Sequence, residues 1–328
     1  MNSSIYKEYI RILSVSVGSP LEYIRYLGSG TYGEVIAVRA VEYGTNLAVK
    51  IVKKYDCVKK HPKALEREYR LGIEMGNIGI GPFIVAQDCI TMPGGFFEEQ
   101  KSYPCILMEM FDVNVGTIIS SMAESQRRIK DQDVINYMII ECNKLIDKML
   151  LRSKYYFYDV KPGNFVYKIR RMCMIDFDDG FMVHSNKIHK KYLGIILKLQ
   201  MFFILLINSS NSTYLGNLGR LYNKQIQFFL RYPRVVFEYL SKYRGIEETF
   251  KHYCSIVHKE IFKNQESVSL PKMMLNLIRY SYSYQKKRDR RMRFSRQKSK
   301  VKESPGPVRY SKKSEILSYA RKIRSLLH

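Results

Sequence analysis

The segment Tyr158-Asp159-Val160-Lys161-Pro162-Gly163-Asn164-Phe165 places an acid, a cation and an amide within one short stretch. An aspartate can orient a hydroxyl and take its proton. A lysine two positions on can neutralise a phosphoryl group in transfer, and an amide oxygen can ligate Mg²⁺. Twelve residues after Asn164 comes Met174-Ile175-Asp176-Phe177, an acid at the end of an apolar run. Its carboxylate could bridge a metal ion to phosphates. Asp159 and Lys161 are therefore candidate catalytic groups, and Asn164 and Asp176 candidate metal ligands. Either piece alone also reads as a polar turn beside a strand; their order along one chain favours the chemical reading.

Nearer the start stands Leu27-Gly28-Ser29-Gly30-Thr31-Tyr32-Gly33-Glu34-Val35. Glycines let a backbone turn sharply and approach phosphate oxygens without a side chain in the way. A GxGxxG run alone is equally an ordinary turn. A dinucleotide site would need a helix opening within it and an acid about 20 residues on. Here a strand-like Val35-Ile36-Ala37-Val38 follows, and Glu42 comes too early. The Walker A ending GK[ST] is missing as well. Seventeen residues after Gly33, Ala48-Val49-Lys50 brings a lysine out of an apolar strand. An unpaired buried ammonium is costly, although a lysine stem can bury while its head reaches solvent. The functional reading sets Lys50 against phosphates, held by Glu68 on the next helix or, as the weaker candidate, by Glu66.

These groups need elements to hold them. Residues 21–55 read as strand, Gly-rich turn, strand, connection and strand. Pro62 can open a helix, with Leu65, Tyr69 and Leu71 or Gly72 inward. Cys105 to Met110 reads as a buried strand after the turn-rich Pro93-Gly94-Gly95. Asp131 or Asp133 can cap a helix whose apolar positions include Val134, Tyr137, Met138, Cys142, Leu145 and Met149. Phe165 to Ile169 and Met172 to Ile175 read as short strands, and the content after residue 190 as mainly helical. The fold class expected is α+β, strand-rich first and helix-rich second.

With these residues in this order, the chain resembles the protein kinase superfamily over roughly residues 21–210. The phrases YDVKPGNFVY and MIDFDD look particularly like divergent serine/threonine kinases of large DNA viruses. The resemblance implies a bilobal fold: an antiparallel β-rich N-terminal lobe, a larger α-helical lobe, and ATP with Mg²⁺ (or Mn²⁺) between them. It implies an N-terminal extension over 1–20, an N-lobe over 21–110, hinge and C-lobe over 111–284, and a basic tail over 285–328. Leu27, Gly28, Gly30, Gly33, Val35, Ala48, Lys50 and Glu68 then become nucleotide-site residues. Cys105-Ile106-Leu107-Met108-Glu109-Met110-Phe111 falls at the hinge, with Met108 as gatekeeper and backbone groups near Glu109 and Phe111 meeting the adenine edge. Lys161 resembles the serine/threonine-specific form, so a protein substrate is implied. Where the family has His-Arg before the aspartate, this chain has Phe157-Tyr158; after Asp176-Phe177 it has Asp178, not Gly. No Ala-Pro-Glu closes the next segment. The absent Arg implies activity that needs no phosphate in that segment. A pseudokinase or docking protein, and a lipid or small-molecule kinase, share the resemblance as alternatives.

Composition bounds the rest. A hydrophobic fraction of 46% with 26 Tyr and 16 Phe excludes a wholly disordered chain. Six Cys without a CxxC pair read as reduced core thiols, and the expected setting is intracellular, host cytoplasm or virion if viral. No secretory leader is expected from the first twenty residues. Residues 192–208 are the most apolar stretch, but Lys198 and Gln200 interrupt them, so a buried helix is expected rather than a membrane span. The net charge is +25, and from Gln285 onward 16 Lys and Arg stand against three acids. Such a tail suits an acidic protein or nucleic acid, and Ser314 to Leu327 has the pattern of a short basic helix.

Overall fold

The computed structural model describes residues 3–30, 33–53, 62–92, 101–125, 129–177, 179–207, 212–263 and 276–279. The basic tail, Asp178, Cys57, the Pro93-Gly94-Gly95 turn and the helix expected at 314–327 lie outside them. Met1–Tyr280 makes one structural unit. Its chain order is α1 (Ser3–Val17), β1 (Leu21–Ser29), β2 (Glu34–Ala40), β3 (Thr45–Ile51), α2 (Pro62–Asn77), β4 (Ile84–Met92) and β5 (Lys101–Glu109). Then come β6 (Val113–Asn114), α3 (Val115–Ser125), α4 (Ile129–Arg152), β7 (Tyr155–Phe157), β8 (Phe165–Lys168), β9 (Arg171–Met174) and β10 (Met182–His184). Helices α5 (Lys190–Ile207), α6 (Ser212–Leu221), α7 (Asn223–Arg231), α8 (Pro233–Ser241) and α9 (Arg244–Lys263) follow. The architecture is mixed α+β, sheet-rich first and helix-rich second.

Strands β1 to β5 form one antiparallel sheet in the order β1-β2-β3-β5-β4. Side chains alternate across a strand, and here the alternation separates a structural face from a chemical one. Ile36, Val38, Leu47, Val49, Ile51, Cys105 and Leu107 pack with Tyr6, Tyr9, Ile10 and Leu13 of α1. The residues between them, Val35, Ala37, Ala48 and Met108, gather on the other side with Leu27 and Met110. Lys50 belongs to that second side because Val49 and Ile51 are committed to the first. Helix α1 was not foreseen as an element, yet Tyr6, Tyr9, Ile10 and Leu13 follow the i, i+3, i+4, i+7 spacing of a helix face. It covers the sheet as one wall of the core.

Pro62 stands at the first position of α2, where its missing N–H costs nothing. Leu71 and Met75 are buried, and Tyr69 packs towards Val52 and Ile106. Helix α4 departs from expectation in two ways. It begins at Ile129, so Asp131 and Asp133 lie inside it rather than capping it. Val134 and Tyr137 are exposed, while Ile135, Met138, Ile139, Cys142, Leu145, Ile146 and Met149 are buried. The true stripe is turned from the expected one because three isoleucines join it.

Helix α5 is surrounded by α4, α6, α7, α8 and α9. Eleven of its residues are buried, from Leu193 to Leu206. Lys198 escapes the apolar surroundings by reaching Asp147 at 2.6 Å, whereas Gln200 is buried with its amide unpartnered. Among the described residues no helix is long and apolar enough to cross a membrane. The cysteine reading needs one correction. Cys105, Cys142, Cys173 and Cys254 are free and buried, but Cys89 is disulfide-bonded. Spacing without a CxxC pair gave no sign of it, because the pairing depends on distant segments meeting in space.

Candidate active site

The chemical face of the sheet looks onto the hairpin formed by β8 and β9. Lys50 Nζ donates to Glu68 Oε1 at 2.5 Å and to Asp176 Oδ1 at 2.9 Å. Glu66, two positions from Glu68, is exposed, as the rotation of a helix requires. Burial alone would lower the Lys50 pKa. The Glu68 and Asp176 carboxylates outweigh it and hold the ammonium above the ordinary lysine range. Lys50 is therefore a fixed positive charge at any working pH.

Asp176 has φ +67, a left-handed backbone that non-glycine residues seldom adopt. Such strain persists only where its surroundings over-determine it. Phe177 supplies part of that restraint: it is buried, with its ring 4.8 Å from Phe157. A Cβ on Gly81 would come within 2.7 Å of the Phe177 ring, so only glycine fits there. The Ile175 N–H donates to the Asn164 carbonyl at 2.9 Å, and the Met174 N–H to Ile80 at 2.7 Å. These bonds tie the two short motifs to each other and to the end of α2.

In the turn before β8, Lys161 Nζ donates to Asp159 Oδ2 at 2.7 Å. Asn164 Nδ2 donates to the Asp159 carbonyl at 2.9 Å, which leaves the amide oxygen as the atom able to bind a cation. Asn114 Nδ2 holds the same turn through the Gly163 carbonyl at 2.6 Å. The Asn164 amide and the Asp176 carboxylate are both hard oxygen donors, the set that suits Mg²⁺. Among the described residues no cluster of three His, Cys, Asp or Glu suits a metal ion, so a cation here would draw other ligands from water or phosphate.

Leu27, Val35, Ala48 and Met108 meet in one apolar cluster with Ala37 and Met110. Gly28, Gly30 and Gly33 lie on the rim formed by β1 and β2, where the Gly30 N–H donates to the Gly33 carbonyl at 2.9 Å. A Cβ on Gly33 would lie 2.0 Å from the Ile51 carbonyl oxygen, so packing demands that glycine. Gly28 and Gly30 face open space, and packing gives no reason for glycine at either.

No family model matches this chain, and no curated protein matches it. The site is thus defined by its own geometry. Three of its features were invisible in the sequence. Arg171 of β9 reaches both carboxylate oxygens of Glu109, at 2.9 and 2.8 Å, and its guanidinium lies over the Phe111 ring. The Glu109 N–H donates to the Phe83 carbonyl at 2.8 Å.

The second feature is Tyr158, whose hydroxyl donates to the Gly180 carbonyl at 2.8 Å. Its N–H donates to Phe181, and β7 pairs with β10 just beyond. The third is Tyr253 of α9, whose hydroxyl donates to Asp159 Oδ1 at 2.8 Å. Tyr253 comes from a span without a recognisable motif, whereas for Tyr158, which opens the Asp159 segment, only the partner was hidden.

Proposed function

We propose that this chain is an ATP- and Mg²⁺-dependent protein kinase of a two-lobed kinase-like fold, acting on serine and threonine hydroxyls. One observation carries the reading: Lys50 joins Glu68 and Asp176, the latter 126 residues away in sequence. A fixed ammonium held between a helix and the end of a strand is poised to bind phosphates. The Leu27, Val35, Ala48 and Met108 cluster offers an apolar seat for a base.

When bound, ATP supplies the phosphoryl group and Mg²⁺ the charge that screens it. Asn164 and Asp176 would hold the metal, and Gly28 and Gly30 leave room for phosphates. Asp159 orients the acceptor hydroxyl and takes its proton. Lys161 offsets negative charge beside it. In a test with labelled ATP, Mg²⁺ and separate acidic and basic acceptor proteins, the purified full chain is expected to yield phosphoserine or phosphothreonine. Label confined to tyrosine would overturn the residue specificity; no transfer to any acceptor would overturn the reading.

Among the described residues, neutral hydrogen bonds help to hold the segment after Asp176. The Tyr158 hydroxyl grips Gly180, the β7–β10 pairing follows, and the Ser185 N–H donates to the Lys154 carbonyl at 2.8 Å. An arginine fork would need a phosphate to complete it; a tyrosine hydroxyl does not. Phosphatase-treated enzyme is therefore expected to keep most of its turnover in the same assay. A large loss, regained on phosphorylation of Ser185, would contradict this.

A further inference from the structure

Asp159 is gripped from outside its own motif. Its Oδ2 accepts from Lys161, two residues away, and its Oδ1 accepts from Tyr253, 94 residues away on α9. Burial, followed by the nearby Asp159 charge, raises the Tyr253 pKa, so the phenol stays protonated and acts only as a donor. The helix carrying it is firmly seated. Phe250, Cys254 and Val257 are buried, and α9 makes the most extensive helix packing contact with α5. Its beginning is anchored too. A Cβ on Gly245 would stand 2.3 Å from the Tyr158 hydroxyl oxygen, so α9 starts as close to the neighbouring residue as a backbone can come.

We infer that Tyr253 is a positioning residue for the phosphotransfer base: it fixes the Asp159 carboxylate so that the remaining lone pairs of that group face the acceptor hydroxyl. The inference rests on the kinase reading above. A carboxylate offers about four lone-pair sites; Lys161 and Tyr253 take two, and a longer contact of 3.5 Å from Asn164 Nδ2 to Oδ2 a third. Room therefore remains for a substrate hydroxyl without displacing them. A flexible aspartate would sample other rotamers, and misplacement of a reacting group by even a small distance lowers the rate steeply. Donors from different elements confine it: Lys161 and Asn164 of its own turn on Oδ2, and Tyr253 of a core helix alone on Oδ1. Lys161 alone could not do this, because its long side chain moves with the turn that Asp159 also belongs to.

The test is steady-state kinetics of the full chain, with a serine peptide and labelled ATP, on Tyr253→Phe alone and in an Asp159→Asn background. Tyr253→Phe keeps the ring and removes only the hydroxyl. Loss of a hydrogen bond to a charged group is expected to lower kcat by about 10- to 100-fold, with KM for ATP and the melting temperature unchanged. In the Asp159→Asn background the same change is expected to add nothing, because Tyr253 acts through that carboxylate. Undiminished kcat in Tyr253→Phe beside an active wild type would overturn this inference and leave the kinase reading standing. So would a rise in kcat, which would make the phenol an occluding mimic of the acceptor hydroxyl. An equal loss in both backgrounds would also overturn it, as a role independent of Asp159. Absence of transfer by wild type would overturn both.

Discussion

Asp159→Asn is expected to reduce turnover by about 10²- to 10⁴-fold, the usual contribution of a positioned general base, while nucleotide still binds. The amide matches the carboxylate in volume but cannot take a proton. The bonds of Lys50 to Glu68 and Asp176 do not involve Asp159, so the phosphate-binding group survives the change. The expected pattern is a collapse of kcat with little movement in nucleotide affinity. Titration of a fluorescent ATP analogue, set beside peptide kinetics, measures both quantities on one preparation. A variant turning over within about tenfold of wild type would remove Asp159 from the role of base, because that loss is smaller than proton transfer normally supplies.

Asp176→Asn is expected to be as damaging through a different route. Its carboxylate is the partner of Lys50 and one of two proposed metal ligands. Neutralising it should weaken binding of Mg²⁺-nucleotide and lower turnover by about 10²-fold or more, the scale of lost electrostatic stabilisation of a transferring group. Asparagine is the informative substitution because it tolerates the left-handed backbone at φ +67 better than most residues. Asp176→Ala would lose the same charge and also strain that backbone by about 1–2 kcal/mol. The two variants therefore separate effects: similar losses of activity, with a lower melting temperature for alanine. Nucleotide affinity that keeps its full Mg²⁺ dependence in Asp176→Asn would remove this residue from metal binding.

Much of the candidate site could be read before any coordinates because its signals are local. Asp159, Lys161 and Asn164 share one turn, and strand alternation alone sends Lys50 away from the α1 side of the sheet. Glu68 needed a further step, since two glutamates lie close together and only the helix phase separates them. What escaped depends on contacts between distant segments. Tyr253 and Arg171 carry no motif, and their partners stand 94 and 62 residues away. The stripe of α4 was misphased because a helix rich in apolar residues offers several plausible faces. Helix α1 had a clear period, but its place on the sheet depends in part on β4 and β5, which come much later. Cys89 follows the same rule, with its pairing set by the fold rather than by spacing.

That late placement has a consequence for synthesis. Tyr9 of α1 packs near Tyr103 of β5, with ring centroids 6.0 Å apart, and α1 also lies along β4. A ribosome releases α1 with β1 to β3 close behind it, but β4 and β5 only after roughly another 70 to 90 residues, at about 5–20 residues per second. Isolated helices of this length are marginal in water, so Tyr6, Tyr9, Ile10 and Leu13 spend several seconds with only the β1 to β3 part of their surface in existence. The nascent chain thus carries an apolar stripe in waiting, and a trigger-factor-like holdase that shields it would act before any of the chemistry of the finished protein exists.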